Sequence, residues 1–190
     1  MDKSYREEES FENIDFTQQE LAKGEYENCT FINCNFAGTT LMDRMFTECE
    51  FMDCDFSLAR LDQSSFRDVR FKRCKLQGLR FDVCRTMLLS FSFDQCVLSF
   101  SSFYKLKIRG TTFSDCKLEE VEFSEADLTQ VTFRNCDLHR AMFEGTILEG
   151  TDFRTASNFS IDPEKNRMKK AKFSLDGLSG LLDKYHLSIE

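Results

Sequence analysis

Large apolar residues recur at every fifth position through most of this chain. Phe11, Phe16, Phe31, Phe36, Phe46, Phe51, Phe56, Phe66, Phe71 and Phe81 share one frame, with Leu21, Tyr26, Leu41, Leu61 and Leu76 in its gaps. Leu88, Phe93, Leu98, Phe103, Ile108, Phe113, Leu118, Phe123, Leu128, Phe133, Leu138, Phe143, Leu148 and Phe153 share a second frame. A five-residue beat fits neither the ~3.6 of an amphipathic helix nor the ~2 of a half-buried strand. A long fixed period marks a solenoid, in which each turn buries its apolar edge against the next.

A second count sets the number of sides. Each of the nine cysteines lies two residues before such a centre, with Thr86 serving as the centre for Cys84. Cys34, Cys54 and Cys74 are spaced by 20, as are Cys96, Cys116 and Cys136. Twenty residues is four quintets. The chain is therefore expected to form a coil with four faces, each supplying one large and one small inward side chain. Like residues then stack at ~4.8 Å from coil to coil. Phe71 to Phe93, Cys74 to Cys96 and Leu76 to Leu98 are each 22 apart. Two extra residues predict a bulge on one face within 82–92, near Val83 to Met87.

Stretches such as Cys34-Asn35-Phe36-Ala37-Gly38 and Ala126-Asp127-Leu128-Thr129 carry a motif of small residue, polar residue, Leu or Phe, polar residue, then often Gly. Over about residues 11–155 the chain resembles the pentapeptide-repeat family. That resemblance implies an all-β fold, a right-handed quadrilateral β-helix. The repeat is expected to fill 1–173, with an irregular last coil over 156–172. A cap is expected over 174–190. There Leu175, Leu178, Leu181, Leu182 and Tyr185 fall at helical spacing, and Leu187 and Ile189 alternate as a short strand.

The 190 residues suffice for one domain with a substantial core. Eighteen of the 21 Phe fall on centres, and each one buried contributes about 1.5–3 kcal/mol. The start, Met-Asp-Lys-Ser-Tyr-Arg-Glu-Glu-Glu, predicts neither a signal peptide nor a membrane span, so a cytoplasmic location is expected. All nine cysteines occupy the small inward slot, so reduced structural thiols are expected rather than disulfides or a metal site. His139 and His186 are the only histidines. Neither has a cysteine or serine that the frame places beside it. There is no phosphate loop, Gly-x-Ser-x-Gly or His-Glu-x-x-His. No enzyme activity, cofactor or metal is expected.

Outward positions carry the charge, and it is uneven. Residues 1–58 hold a net −10, 59–110 hold +7, 111–155 hold −6 and 156–190 hold +1. Arg67, Arg70, Lys72, Arg73, Lys75 and Arg80 form a basic belt, which either pairs with acids along the stack or meets an acidic partner. Asp115, Glu119, Glu120, Glu122, Glu125, Asp127, Glu144 and Asp152 form a second candidate surface, suited to a protein whose groove is made for DNA. The acidic overall balance argues against direct nucleic-acid binding.

The chain is similar to the topoisomerase-protecting, quinolone-resistance group of pentapeptide-repeat proteins. That similarity implies a DNA mimic that binds DNA gyrase or topoisomerase IV, with protection from quinolones or gyrase toxins as a consequence. It also implies a homodimer joined through Leu178, Leu181, Leu182, Tyr185, Leu187 and Ile189. The alternative is a structural interaction module with an unrelated cytosolic partner.

Overall fold

A computed structural model describes residues 4–188; Ile189 lies outside them. The chain winds as a parallel β-solenoid with four faces, here numbered in the order in which one coil visits them. Face one is a sheet of β1 (Ser4–Glu7), β3 (Gly24–Glu27), β5 (Met45–Thr47) and β7 (Ser65–Arg67). Face two is a sheet of β2 (Ser10–Glu12), β4 (Thr30–Ile32), β6 (Glu50–Met52), β8 (Val69–Lys72), β9 (Phe91–Asp94), β10 (Thr112–Ser114) and β11 (Thr132–Arg134). Faces three and four are joined by single bridges such as Asn35 to Asp55 and Arg80 to Ser102, and upper face one by Lys107, Asp127, Ile147 and Arg167 in sequence. Registers advance by 20, as in Phe31 to Phe51, except once, where Phe71 meets Phe93.

The inward centres form four columns. On face two, Phe11, Phe31, Phe51, Phe71, Phe93, Phe113, Phe133, Phe153 and Phe173 make one unbroken stack. Its neighbouring centroids are 4.6–5.4 Å apart with planes within 21° of parallel. Face three carries Phe16, Phe36 and Phe56, then Leu76, Leu98, Leu118 and Leu138. Face four reverses the order, with Leu21, Leu41 and Leu61 followed by Phe81, Phe103, Phe123 and Phe143. Lower coils thus pack a ring where upper coils pack a leucine, so the core stays filled at every level.

Backbone geometry explains the five-residue beat. At most corners the residue two after a centre has φ between +50° and +64°, as in Asn33, Asp53, Phe100, Glu120 and Asn135. The next residue closes the turn: Thr39 N–H donates to the Phe36 carbonyl at 3.1 Å, and Val131 N–H to Leu128 at 3.0 Å. A turn with φ > 0 at its third residue favours Gly, Asn and Asp. Gly38, Gly78, Gly110, Gly145 and Gly150 take that position elsewhere.

The small slot has its own logic. Its side chain reaches a carbonyl 23 residues earlier, on the coil below. Cys54 Sγ lies 3.4 Å from Phe31 O, Ser64 Oγ donates to Leu41 O at 2.7 Å, and Thr151 Oγ1 to Leu128 O at 2.8 Å. A short donor that packs as a near-apolar group suits this site, which explains the cysteines. All nine are buried and unbridged.

Three expectations are corrected. Thr86 and Leu88 are not core centres: both are exposed, Leu88 at 62%. The two extra residues loop out within 86–89, slightly beyond the expected place. Arg85 N–H still meets Ser64 O, and Ser90 N–H already meets Phe66 O. Phe91, in the small slot of face two, swings into the gap. Its ring sits 5.9 Å from Phe66 and 5.2 Å from Phe81. At the C-terminus, the amphipathic spacing forms two 3-10 segments, Asp176–Leu181 and Asp183–Tyr185, rather than an α-helix. Gly180 is pressed so closely on Phe159 that a Cβ would sit 2.2 Å from the Phe159 carbonyl oxygen, and Gly180 O accepts from Ile161 N–H at 2.9 Å. That contact imposes the tighter winding. Among the described residues, no helix is long and apolar enough to cross a membrane.

Candidate interaction surfaces

The inside is chemically quiet. Six thiols, Cys34, Cys54, Cys74, Cys96, Cys116 and Cys136, form a column under face three, each held near two carbonyls. Burial pushes the Cys49 thiol up to about 12 and raises Cys29 and Cys84 too. Hydrogen bonding with neighbouring thiols, together with burial, raises Cys74 and Cys116. Thiols in this state are poor nucleophiles. No group of His, Cys, Asp and Glu among the described residues could hold a metal ion. A cleft of about 430 Å³ between the last coil and the cap offers Asn158, Asp176 and Asp183 with serines, but no nucleophile beside a base.

One buried charge was not foreseen. Arg44 occupies the small slot of face one, fully buried. Its Nε donates to Leu21 O at 3.1 Å, Nη1 to Met42 O at 3.0 Å, and Nη2 to Glu20 Oε1 at 2.7 Å. Nη2 also meets Leu21 O. The guanidinium thus performs the slot's usual task at larger scale, and its hydrogen bond and charge hold the Glu20 carboxyl below its ordinary range.

The acids of 115–152 encircle the rod instead of sharing a face. Asp115, at the corner after face two, accepts from Asn135 at 3.1 Å. Glu119 stands exposed on face three. Glu120, at the next corner, pairs with Arg140 at 3.0 Å. Glu122 on face four accepts the Ser124 N–H. Glu125 is held by the Tyr104 hydroxyl at 2.8 Å and by Lys105 at 3.3 Å, which keep its carboxyl low. Asp127 on face one is buried. Although burial works against its charge, hydrogen bonds from Arg109 and Thr129 keep it low. Glu144 pairs with Lys165 and Asp152 with Arg154.

The basic belt likewise circles the rod. Arg73 binds Asp53 through two nitrogens, each at 2.7 Å. Lys75 pairs with Asp55, Arg80 with Asp82 and Arg67 with Asp68. Arg70 lies in register between Glu50 and Ser92, and Lys72 between Met52 and Asp94. Most of the belt is answered within the chain.

A surface that the contiguous sequence hides lies at the N-terminal end of face one. Glu7, Glu25 and Glu27, with Glu8 and Glu48 at its edge, project from three consecutive coils. Among the described residues only Glu27 is engaged, by the Tyr5 hydroxyl at 2.7 Å. Among the described residues the other four have no ion pair within 4.0 Å. The 20-residue count that exposed the core, applied to acids, finds this column.

On the cap, Leu178, Leu182, Tyr185 and Leu187 are exposed, whereas Leu181 packs against the core. Lys184 ties the cap down, bridging Asp162 at 2.7 Å and Glu164 at 2.8 Å.

A family model described as a pentapeptide repeat region matches residues 24–92 and 86–158. Among curated proteins none matches. Among solved structures, full-length QnrB1, a plasmid-mediated fluoroquinolone resistance protein, aligns over 97% of this chain and 100% of its own, with 16% identity and a TM-score of 0.53. HetL from the cyanobacterium Nostoc sp. strain PCC 7120, involved in heterocyst differentiation regulation, aligns over 91% of this chain and 87% of its own, with 14% identity and a TM-score of 0.41.

Proposed function

The chain belongs to the pentapeptide-repeat family, and from that premise we propose that it is a non-enzymatic cytosolic binding protein that imitates DNA toward a bacterial type II topoisomerase, gyrase or topoisomerase IV. Protection from quinolones or gyrase-directed toxins would follow from that contact. The observation that carries this reading is the acid column of lower face one, whose carboxylates have no ion pair among the described residues. Five carboxylates on three coils, two on each of the first two and one on the third, at a rise of ~4.8 Å, give a negative edge on a stiff rod, and a groove that binds duplex phosphates attracts such an edge over a Debye length of ~8–10 Å. The shared fold with QnrB1, a fluoroquinolone resistance protein, is consistent with it. The exposed cap residues Leu178, Leu182, Tyr185 and Leu187 supply an apolar surface for a homodimer. A second reading, an interaction module with an unrelated partner, draws on the neutralised belt and the paired upper acids.

The test is a gyrase supercoiling assay over a protein titration, with and without a quinolone. Inhibition or rescue is expected. Glu7→Gln, Glu25→Gln and Glu48→Gln together should weaken it about tenfold and flatten its salt dependence. Neutralising Glu119, Glu120, Glu122 and Glu125 should do less, because Glu120 and Glu125 already have partners in the chain. Absence of any effect or binding at micromolar protein would leave the second reading standing.

A further inference from the structure

Three features of face one coincide: a bulge, exposed apolar side chains and an uneven charge. Counted one row per coil, it consists of β1, β3, β5, β7, the bulge, and then the rows of Lys107, Asp127, Ile147 and Arg167. The bulge is the fifth of nine rows, the midpoint of the face. It presents Met87 at 80% exposure and Leu88 at 62%. Leu88 is also held at φ +58°, a conformation that costs a bulky residue roughly 1–2 kcal/mol. An apolar side chain that is both strained and wet gains nothing within its own molecule.

Charge is arranged about that midpoint. The first row carries Glu7 and Glu8, and the second Glu25 and Glu27. The ninth carries Arg167, Lys169 and Lys170. Glu7, Glu8, Lys169 and Lys170 have no ion pair among the described residues. Turning a second copy by a two-fold axis through the bulge lays row one on row nine and row four on row six. Glu7 and Glu8 then face Lys169 and Lys170. Arg67 and Asp68 together face Lys107 and Arg109. Rows three and seven bring Thr47 and Glu48 to Thr129 and Gln130, with Asp127 already buried. Two like-charge approaches, Glu27 toward Glu149 and Arg67 toward Arg109, are softened on both sides. Asp68 lies 3.8 Å from Arg67, and Asp127 holds Arg109 at 2.6 Å. Tyr5 holds Glu27, and Arg167 holds Glu149 at 2.8 Å. Met87 and Leu88 meet their own copies at the centre. Side-by-side pairing in the same direction would instead oppose like charges along the length.

We propose that face one is a self-complementary surface on which two copies of this chain pair side by side and antiparallel, with the 86–89 bulges at the two-fold axis. An apolar centre inside a charged rim is the usual anatomy of a specific contact, and an isologous patch must be complementary to itself under such an axis. Pairing covers the acid column of lower face one, so the pair and a topoisomerase compete for it. The pair itself is measured without any topoisomerase.

The experiment is sedimentation velocity of the full chain carrying Leu178→Asp and Leu182→Asp, which excludes a dimer through the cap. At low ionic strength this protein should associate, and it should dissociate as salt is added. Glu7→Lys with Glu8→Lys should weaken association about tenfold or more, and so should Lys169→Glu with Lys170→Glu. An equimolar mixture of those two variants restores both opposite-charge contacts and should associate again. Met87→Ser with Leu88→Ser should weaken it at every salt concentration, with unchanged circular dichroism. A monomer at low salt and high concentration, or a mixture of the reversed variants that stays monomeric, overturns the proposal.

Discussion

Faces one and two are built from one repeat yet have different histories along the rod. Face two runs without interruption, one phenylalanine per coil from Phe11 to Phe173, with rings parallel throughout. Face one starts with Tyr26, Phe46 and Phe66, loses its centre at the bulge, and resumes with Ile108, Leu128 and Leu148. It also holds the buried Arg44, the lower acid column and the exposed Leu88. The contrast separates two kinds of constraint. Where the register is perfect, every residue serves the stack, and little is left to present. Where the register slips, the chain has freedom, and Met87 and Leu88 stand exposed there.

Deleting a ring on each face is the most forceful way to break the contrast. Phe113→Ala removes a fully buried ring that touches Phe93 at 4.9 Å and Phe133 at 5.2 Å, between neighbours already in contact with their own partners. Nothing nearby can fill the hole, and about 3–5 kcal/mol should be lost. Phe66→Ala sits beside the loop, where the tilted Phe91 ring has room to follow the cavity. Its cost should be about 1–2 kcal/mol smaller, because the site collapses more fully. Urea midpoints of the two variants measure this. Equal losses would mean that the bulge is as tightly packed as the ladder.

Corner residues sharpen the comparison at a smaller scale. Beside face two the left-handed corner carries Asn13, Asn33, Asp53, Asp115 and Asn135, which tolerate that backbone and link coil to coil, as in Asn33 Nδ2 to Asn13 Oδ1 at 2.8 Å. Beside face one the same position carries Asn28 and Asp68 on lower coils but falls on Leu88 at the bulge. Leu88→Asn should therefore raise stability by about 0.5–1 kcal/mol, and Asn135→Leu should lower it by about as much, since Asn accepts φ > 0 far better than Leu. Thermal or urea midpoints of both give the sign. Leu88→Asn should at the same time weaken the antiparallel pair, which separates the strain from its use.

The interior was legible because inward position depends only on phase, and phase survives for many coils once the period is known. The same arithmetic assigns each charge to a face and a row. Contiguity misleads: the run from Glu119 to Asp127 looks like a patch, but five residues turn one corner, so neighbours in sequence point in different directions. Acids 20 apart, Glu7 with Glu27, are the true neighbours. Period alone could not say which residues of the slipped quintet leave the core. The bulk of Phe91 in a slot filled from Cys29 to Ala171 otherwise by Cys, Val, Thr and Ala was the available sign. Arg44 in that kind of slot was a similar sign, since a long donor can reach the same carbonyl that a thiol does. The cap was read from apolar spacing, which does not register that Gly177 and Gly180 permit an approach too close for an α-helix.

The smallest expected effect sets the titrating end of the rod against its non-titrating axis. Lys184 lowers the pKa of Asp162 and of Glu164 by hydrogen bonding and by charge, and its own is raised in turn. A carboxylate whose folded pKa lies below its unfolded value contributes stability that is complete above the unfolded value, ~3.9–4.3, and is lost as pH falls through the lower folded one. The latch over the last coil should therefore hold from neutral pH to about 4 and loosen below it. The Phe153–Phe173 stack beneath it contains nothing that ionises. Hydrogen exchange at pH 7 and near pH 3, corrected for intrinsic rate, should show protection lost over 176–185 while β10 and β11 stay protected. Lys184→Met should produce the open cap at both pH values. Equal loss in the strands would mean that acid acts on the whole solenoid, through the many exposed pairs, rather than on this one tie.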